Sequence, residues 1–357
     1  MKRIILLLSL CATISAGYAQ QLGAVNVGVM LPLHNVDGDG RRMLEYYRGI
    51  LMAVDKLKQE GKNVNVRAWN VPIDTDPRTA LLENGATSCQ VIFGPLYSKQ
   101  VKPIGDFCKA YNIKMVIPFS ITGNDVDKNP QIYQVYQNGD ELNTAAIQRV
   151  AENFADRHVV IIDCNDTTSR KGVFTFALRK ILESKGRVYN ITNLNSSDEQ
   201  FVKAFSLSQP NLVILNTGRM PELRRAIDKL DAIRQKNTAV SCTLFGYTEW
   251  LMYAKYLPQQ LARYDAYIPT TFYYNESSAA TQQFVQKYRQ NFGADMMPSL
   301  PHFALTGYDH AMYFVGSRGQ WLQSPLNFVK TSGGGYRNHT FMLIHYKNNG
   351  GIEALSY

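Results

Sequence analysis

The strongest constraint on the fold is an alternation of short apolar segments and amphipathic segments along the chain. Residues 25–33 form an apolar run, and residues 41–58 place apolar side chains at helical spacing. The series continues with strands and helices predicted at 64–71, 77–83, 90–94, 100–111 and 114–118. Such alternation is typical of a parallel sheet whose strands are joined by crossover helices.

A second series of the same kind begins near residue 140. It predicts elements at 140–154, 158–163, 172–185, 188–192, 201–205, 212–216, 221–234 and 240–246. The sequence therefore predicts an α/β protein of two doubly wound, Rossmann-like lobes, with any ligand at the carboxyl ends of the strands. The last third, with helices at 279–291 and 303–316 and a hairpin at 340–356, is expected to complete these lobes instead of forming a third domain.

Composition and motifs argue against several classes of function. The excess of 38 Lys and Arg over 29 Asp and Glu is spread along the chain without long basic blocks, which disfavours a nucleic-acid groove. No GxSxG motif or phosphate-binding loop is present, so we expect no catalytic residues and no cofactor. No metal site is expected, because Cys89, Cys108, Cys164 and Cys242 form no CxxC pair and have no histidine within five residues.

These four cysteines are expected to be buried thiols with at most one disulfide, for which Cys89 and Cys108 are the preferred pair. The sequence does not decide between the two states, because a disulfide depends on a Cα separation that spacing does not supply.

The N-terminus has the features of an export signal. Met1-Lys2-Arg3 is basic, residues 4–14 are apolar but too short to span a bilayer, and Gly17-Tyr18-Ala19 supplies small residues for a signal peptidase. Residues 1–19 are therefore predicted to be a cleaved signal peptide. Lipidation at Cys11 is disfavoured because Leu10 precedes it inside the apolar run. No later apolar run approaches the length of a membrane span, so the mature chain is expected to lack one.

Several short motifs occur in an order that resembles one family. They are VGVMLPLHN at residues 27–35, Tyr47-Arg48-Gly49, IFGPLYS at 92–98, IPFS at 117–120, NPQIYQV at 129–135 and Gly307-Tyr308-Asp309. Together they resemble the type I periplasmic solute-binding proteins of the branched-chain amino-acid transporter class. The resemblance implies a periplasmic protein that closes on a solute by hinge motion and presents it to the membrane subunits of an ABC transporter.

The resemblance also implies domain boundaries. Three crossovers, near Gln134, Thr270 and Trp321, would join the lobes. The first lobe would then comprise residues 20–134 and 271–321, and the second lobe residues 135–270 and 322–357.

The residues that match the family's ligand contacts lie in loops after the predicted strands. In the first lobe, Ser98, Ser120 and Thr122 would hold a carboxylate with hydroxyl and backbone N–H groups, although Ser98 also suits a helix cap. The full set of candidate ligand-binding residues is Tyr97, Ser98, Ser120, Thr122, Asn165, Arg219, Tyr247 and Glu249. The aromatic members could stack on a ligand, and Arg219 could pair with a carboxylate.

The second lobe departs from the family pattern where the ligand's amine would bind. Thr, Ser and Arg occupy residues 167–170, where the family has Tyr, and Arg170 or Lys171 would repel an ammonium group. Glu249 could replace the family's acidic residue. A small polar or anionic solute is therefore expected, with amino acids, peptides and cell-wall fragments as candidates. The alternative is a cell-envelope interaction or regulatory module that retains the fold but does not serve transport.

We predict that the mature protein begins at Gln20. Mass spectrometry of the N-terminal peptide from the exported protein should show the loss of residues 1–19, and an Ala19→Asp variant should retain them because the peptidase needs a small residue there. A mature chain that begins with an acylated Cys11 would contradict the prediction.

Overall fold

The computed structural model describes residues 23–119, 121–316, 319 and 321–357. The predicted signal peptide and Ser120 lie outside these residues. The chain forms two seven-stranded sheets, each covered by helices, which confirms the predicted pair of α/β lobes.

The first sheet has the strand order β11-β12-β5-β4-β3-β1-β2. All neighbours are parallel except β11 and β12, which are antiparallel. Its strands are β1 (Val25–Leu31), β2 (Val64–Asn70), β3 (Val91–Phe93), β4 (Lys114–Ile117), β5 (Ile132–Gln134), β11 (Phe328–Lys330) and β12 (Tyr336–Asn338). The helices of this lobe are α1 (Gly38–Gln59), α2 (Pro77–Leu81), α3 (Ser98–Ala110), α9 (Ala279–Phe292) and α10 (Phe303–Val315).

The two faces of the first sheet have separate hydrophobic cores. Val29 belongs to the core formed with α1, α9 and α10, whereas the next residue, Met30, belongs to the core formed with α2 and α3. This follows from the alternation of side chains along a strand, and it explains why β1 is apolar on both faces.

The second sheet has the order β14-β13-β10-β9-β8-β6-β7. Its strands are β6 (His158–Asp163), β7 (Tyr189–Asn193), β8 (Asn211–Leu215), β9 (Cys242–Phe245), β10 (Tyr267–Thr270), β13 (Met342–Tyr346) and β14 (Ile352–Ser356). Its helices are α4 (Gly139–Asn153), α5 (Lys171–Ser184), α6 (Asp198–Val202), α7 (Met220–Lys236) and α8 (Pro258–Arg263). The predicted closing hairpin is confirmed as the antiparallel pair β13 and β14.

The position of the third crossover differs from the prediction. The sequence predicts a crossover near Trp321 and assigns residues 322–357 to the second lobe, but β11 and β12 extend the first sheet. Tyr336 of β12 pairs with Tyr133 of β5, and their rings stack 4.5 Å apart. The chain therefore enters the second sheet only at β13. Strands of three residues are too short to show a period, and a contact between residues so distant in sequence has no local signal.

The four cysteines of the described chain are free and buried. Burial raises the pKa of Cys89 to about 11 and that of Cys108 to about 12, so neither thiol ionises near neutral pH. The predicted buried thiols are confirmed, and the preferred Cys89–Cys108 disulfide does not form.

Helix α10 returns late in the chain to pack directly on α1. A Cβ atom at Gly307 would overlap the carbonyl oxygen of Tyr46, and a Cβ at Gly49 would overlap that of Ala304. These two glycines therefore let the helix backbones touch. The hydroxyl of Tyr46 also lies 2.9 Å from Nδ1 of His310, whose pKa burial lowers to about 3, so this imidazole is neutral.

The buried carboxylate of Asp309 fixes the chain that follows α10. It accepts backbone N–H groups from Leu322 at 2.7 Å, Gln323 at 2.9 Å and Ser324 at 2.7 Å. Burial raises the pKa of Asp309 to about 7, and the three N–H groups oppose that rise by favouring the charged form. The Gly307-Tyr308-Asp309 motif thus combines a helix contact with an anchor for the segment leading to β11.

We predict that Gly307→Ala destabilises the protein by about 3 kcal/mol or more, because the new methyl group meets backbone that no side-chain rotation can move. Chemical denaturation would measure the change in unfolding free energy. Gly139→Ala is the control, since a Cβ there meets nothing within 4 Å and alanine favours the helix. Equal effects of the two substitutions would contradict the proposed contact.

Candidate functional site

The candidate site is formed by loops that follow the parallel strands of each sheet. In the first lobe these loops follow β3 and β4, and in the second lobe they follow β6, β8 and β9. Because the carboxyl ends of parallel strands meet at one edge of a sheet, the loops of each lobe form a continuous surface.

In the first lobe, Ser98 joins the two loops. Its Oγ accepts the backbone N–H of Thr122 at 2.8 Å, while its own hydroxyl proton is available for another acceptor. Ser98 is the first residue of α3, and the preceding Tyr97 donates its hydroxyl to Asp39 of α1 at 3.1 Å. Burial and the Asp39 carboxylate raise the pKa of Tyr97 to about 12, so it remains a donor. The structure therefore brings Tyr97, Ser98 and Thr122 together.

The second lobe contains a cavity of about 480 Å³ at the ends of β6, β8 and β9. Its walls are rich in hydroxyl and charged groups. The polar side chains that line it are those of Asp166, Thr168, Ser169, Arg170, Thr217, Arg219, Glu249 and Tyr253. Two of the predicted residues, Arg219 and Glu249, are thus brought together on one cavity.

Asp166 holds the loop after β6 in place. It accepts the backbone N–H of Thr168 at 3.0 Å and the hydroxyls of Thr168 at 2.6 Å and Thr217 at 2.7 Å. These hydrogen bonds and the nearby Arg219 lower its pKa to about 2, so the carboxylate is ionised. The guanidinium of Arg219 lies 3.5 Å from the carboxylate of Asp166 and 3.6 Å from that of Glu222, and these two carboxylates balance the positive charge of Arg219. Sequence analysis missed Asp166, although an Asp two residues before Thr is a signal for such a turn.

Glu249 is paired with a cation of the protein itself. Nζ of Lys171 lies 2.6 Å from Oε1 of Glu249 and 4.6 Å from the centre of the Tyr247 ring. Tyr247 is buried, and its hydroxyl donates to the carbonyl of Leu215 at 2.6 Å. The prediction that Tyr247 contacts the ligand is therefore corrected, because Lys171 lies over the ring and Tyr247 does not line the cavity.

Asn165 does not lie where the sequence indicates, whereas Arg170 does reach the cavity. Asn165 has a left-handed backbone with φ of 54° and exchanges side-chain hydrogen bonds with Asn193, so it supports the turn and does not line the cavity. Arg170 does line the cavity and is exposed. Within the described ranges, its guanidinium has no ion-pair partner.

Two further observations concern the described residues as a whole. In them, no group of three or more His, Cys, Asp or Glu side chains is arranged to hold a metal ion. None of the helices that the structure describes has both the length and the apolar character required to cross a bilayer.

Comparisons with known proteins agree on one family. A sequence model for periplasmic binding proteins matches residues 81–316. A structure described as a branched-chain amino acid ABC transporter from Rhodospirillum rubrum has a TM-score of 0.60 at 15% identity, covering 93% of this chain and 100% of that chain. A branched-chain amino acid ABC transporter periplasmic ligand-binding protein from Burkholderia xenovorans has a TM-score of 0.50 at 13% identity, covering 93% of this chain and 94% of that chain. No curated protein matches the sequence.

The lowered pKa of Asp166 generates a prediction about pH. Its ionised form stabilises the fold above pH 4, and this contribution is lost as the pH falls from about 4 towards 2, since the unfolded carboxylate titrates near 3.9. Asp166→Asn should therefore be less stable than the wild type at pH 7, and the difference should narrow at pH 3. Urea unfolding at both pH values measures it.

The control is Asp74→Asn, which removes an exposed carboxylate 3.7 Å from Lys99. Its effect on stability should be small at both pH values. A deficit of Asp166→Asn that stays constant between the two conditions would contradict the assigned role of the charge.

Proposed function

The chain belongs to the periplasmic binding protein family, and from that premise we propose that it captures a small polar or anionic solute between its lobes and presents it to an ABC-type importer. The family consists of solute-binding proteins and not of enzymes. Its members are periplasmic, which agrees with the export signal expected in residues 1–19. We further propose that the lobes follow the two sheets, with residues 322–338 in the first lobe.

The balance of charge in the second-lobe cavity is the observation that carries the proposal for an anionic solute. The carboxylate of Glu249 is neutralised by Lys171, and that of Asp166 is used by its own loop and Arg219. The guanidinium of Arg170 has no such partner within the described chain. An incoming ammonium group would find no free carboxylate here, whereas a carboxylate or phosphate would find a planar, doubly donating cation.

The first lobe offers complementary groups. Ser98 and Thr122 present hydroxyls beside the N-terminus of α3, a helix of 13 residues. Backbone N–H groups at a helix N-terminus favour negative charge. These groups support the capture of a carboxylate or another polar group by the first lobe.

The place and the lining of the second-lobe cavity support a solute receptor over an interaction module. A protein that kept the fold only to bind partners could fill this space with its own side chains. The space of about 480 Å³ instead stays open at the ends of β6, β8 and β9 and is lined by charged and hydroxyl groups.

We expect a thermal-shift screen of the mature protein to identify carboxylates, phosphates or acidic sugars as ligands. A solute at a hundred times its Kd stabilises the native state by about 2.7 kcal/mol, which raises the midpoint by several degrees. Hits confined to amines would contradict the anionic solute. No hit, together with no solute in the purified protein by mass spectrometry, would favour the interaction module.

Arg170→Gln should weaken binding of an anion found in that screen by about tenfold, because a charge-assisted hydrogen bond is lost. Isothermal titration calorimetry measures the change. Lys180→Gln is the matched control, since Lys180 is an exposed cation of α5 that pairs with Glu183 and does not line the cavity. Equal affinity of the wild type and Arg170→Gln for the anion would contradict the assignment of Arg170 to the binding site.

A further inference from the structure

Three groups beside the Lys171 side chain form a site of the kind that binds cations. They are the carboxylate of Glu249, the ring of Tyr247 and the backbone of Gly218, and together they are called the cation box. The ammonium lies 2.6 Å from Glu249 and 4.6 Å from the ring centre. A carboxylate combined with an aromatic face is a general means of holding an ammonium group.

The groups of the cation box that face Lys171 are held in place by hydrogen bonds. The Tyr247 ring is fixed because its hydroxyl donates to Leu215, and the Gly218 carbonyl accepts the hydroxyl of Tyr253. Gly218 lies beside both partners of the ion pair. A Cβ there would lie 3.5 Å from Cε of Lys171 and 3.5 Å from the carboxyl carbon of Glu249.

The cation box adjoins the second-lobe cavity. Glu249, Gly218 and Tyr253 line the cavity, and the Lys171 side chain lies against the first two. The carboxylate retains 42% of its exposure and the lysine side chain 24%, so the pair lies at the cavity wall and not in the core. Shortening Lys171 would therefore extend the cavity towards the Tyr247 ring.

We propose that Lys171 acts as a tethered ammonium that fills the cation box, so that the cavity accepts carboxylates without an amino group and rejects the corresponding α-amino acids. This inference rests on the proposed function and names the class of solute within it. A 2-oxo acid has a carbonyl oxygen at the carbon where the corresponding amino acid has its ammonium group. The cation box would distinguish the two solutes by that group.

The physical basis is competition within one molecule. A side chain attached beside its binding site has a high effective concentration there, and a free amine cannot match it at ordinary solute levels. An amino acid that displaced Lys171 would also leave the lysine ammonium without its partner next to the uncommitted Arg170. The site would thus be selective for two reasons. An amino acid would create an unfavourable arrangement of positive charges, and a carboxylate without an amino group would be attracted.

The direct test removes the tethered ammonium and supplies a free one. In Lys171→Ala, propylammonium chloride should raise the thermal midpoint relative to sodium chloride at the same ionic strength. The wild type and the control Lys180→Ala, which lacks an exposed lysine of the same helix, should show no difference between the salts. The double variant Lys171→Ala, Glu249→Gln should lose the response, because the carboxylate is gone.

A second test compares solutes that differ only in the amine. Calorimetric titrations use L-leucine against 4-methyl-2-oxopentanoate and L-glutamate against 2-oxoglutarate. For each pair, the affinity for the oxo acid is divided by the affinity for the amino acid. This ratio should be at least about tenfold lower in Lys171→Met than in the wild type, because Glu249 becomes available for a charge-assisted contact with the amine. An unchanged ratio, or a wild type that prefers the amino acids, overturns the inference.

The tests separate failure of the inference from failure of the proposed function. A wild type that binds anions while Lys171→Ala ignores propylammonium overturns the cation box but leaves the solute receptor intact. A propylammonium response in Lys171→Ala, with no solute bound by the wild type, supports the cation box and contradicts the proposed receptor. The absence of both responses counts against both.

Discussion

The backbone contact between α1 and α10 is the interaction on which the packing of the first lobe depends. It joins a helix near the beginning of the chain to one that comes after β10 of the second sheet, and Gly49 and Gly307 allow it because they have no Cβ atoms. The buried Asp309 then directs the next segment through three backbone N–H groups. Together these contacts close the first hydrophobic core, which combines residues of α1 with residues of α9 and α10 that lie far from it in the sequence.

The sheets of the two lobes hold the loops that follow their strands, and hydrogen bonds within these loops limit which groups can contact a solute. Most polar groups of the site are engaged in holding loops: Ser98 accepts from Thr122, Tyr97 donates to Asp39, and Asp166 binds its own turn. Such bonds keep the loops ordered before any solute arrives, which lowers the entropy cost of binding. In the proposed receptor, what remains for the solute is the charge that the cavity does not balance internally, and among the charged side chains that line the second-lobe cavity that charge is carried by Arg170.

The sequence predicts the lobes well because strand and helix periods are local properties. The run at residues 25–33 and the spacing in 41–58 correspond to β1 and α1, and the motif glycines mark real backbone contacts. It fails for β12, whose partner β5 lies some two hundred residues away, and for the short β11 that pairs with β12. It also fails for Tyr247, which is buried against residues distant in sequence, such as Phe174 and Leu215. The Lys171–Glu249 pair had no signal either, since periods and motifs do not report which charges meet across a fold.

The Lys171–Glu249 pair also illustrates why a fold that is shared with other proteins does not imply a shared solute. At 15% identity, a similar fold leaves individual cavity residues free to differ. A carboxylate at the end of a strand suits an amine-binding receptor when it stands alone, and the same carboxylate serves an anion receptor once a lysine neutralises it. If the proposed role of Lys171 holds, one residue at the start of α5 reverses the charge preference of the site while the sheet, the loops and Glu249 remain in place. In the proposed receptor, charge balance within the cavity would then define the class of solute more than the fold or any one motif does.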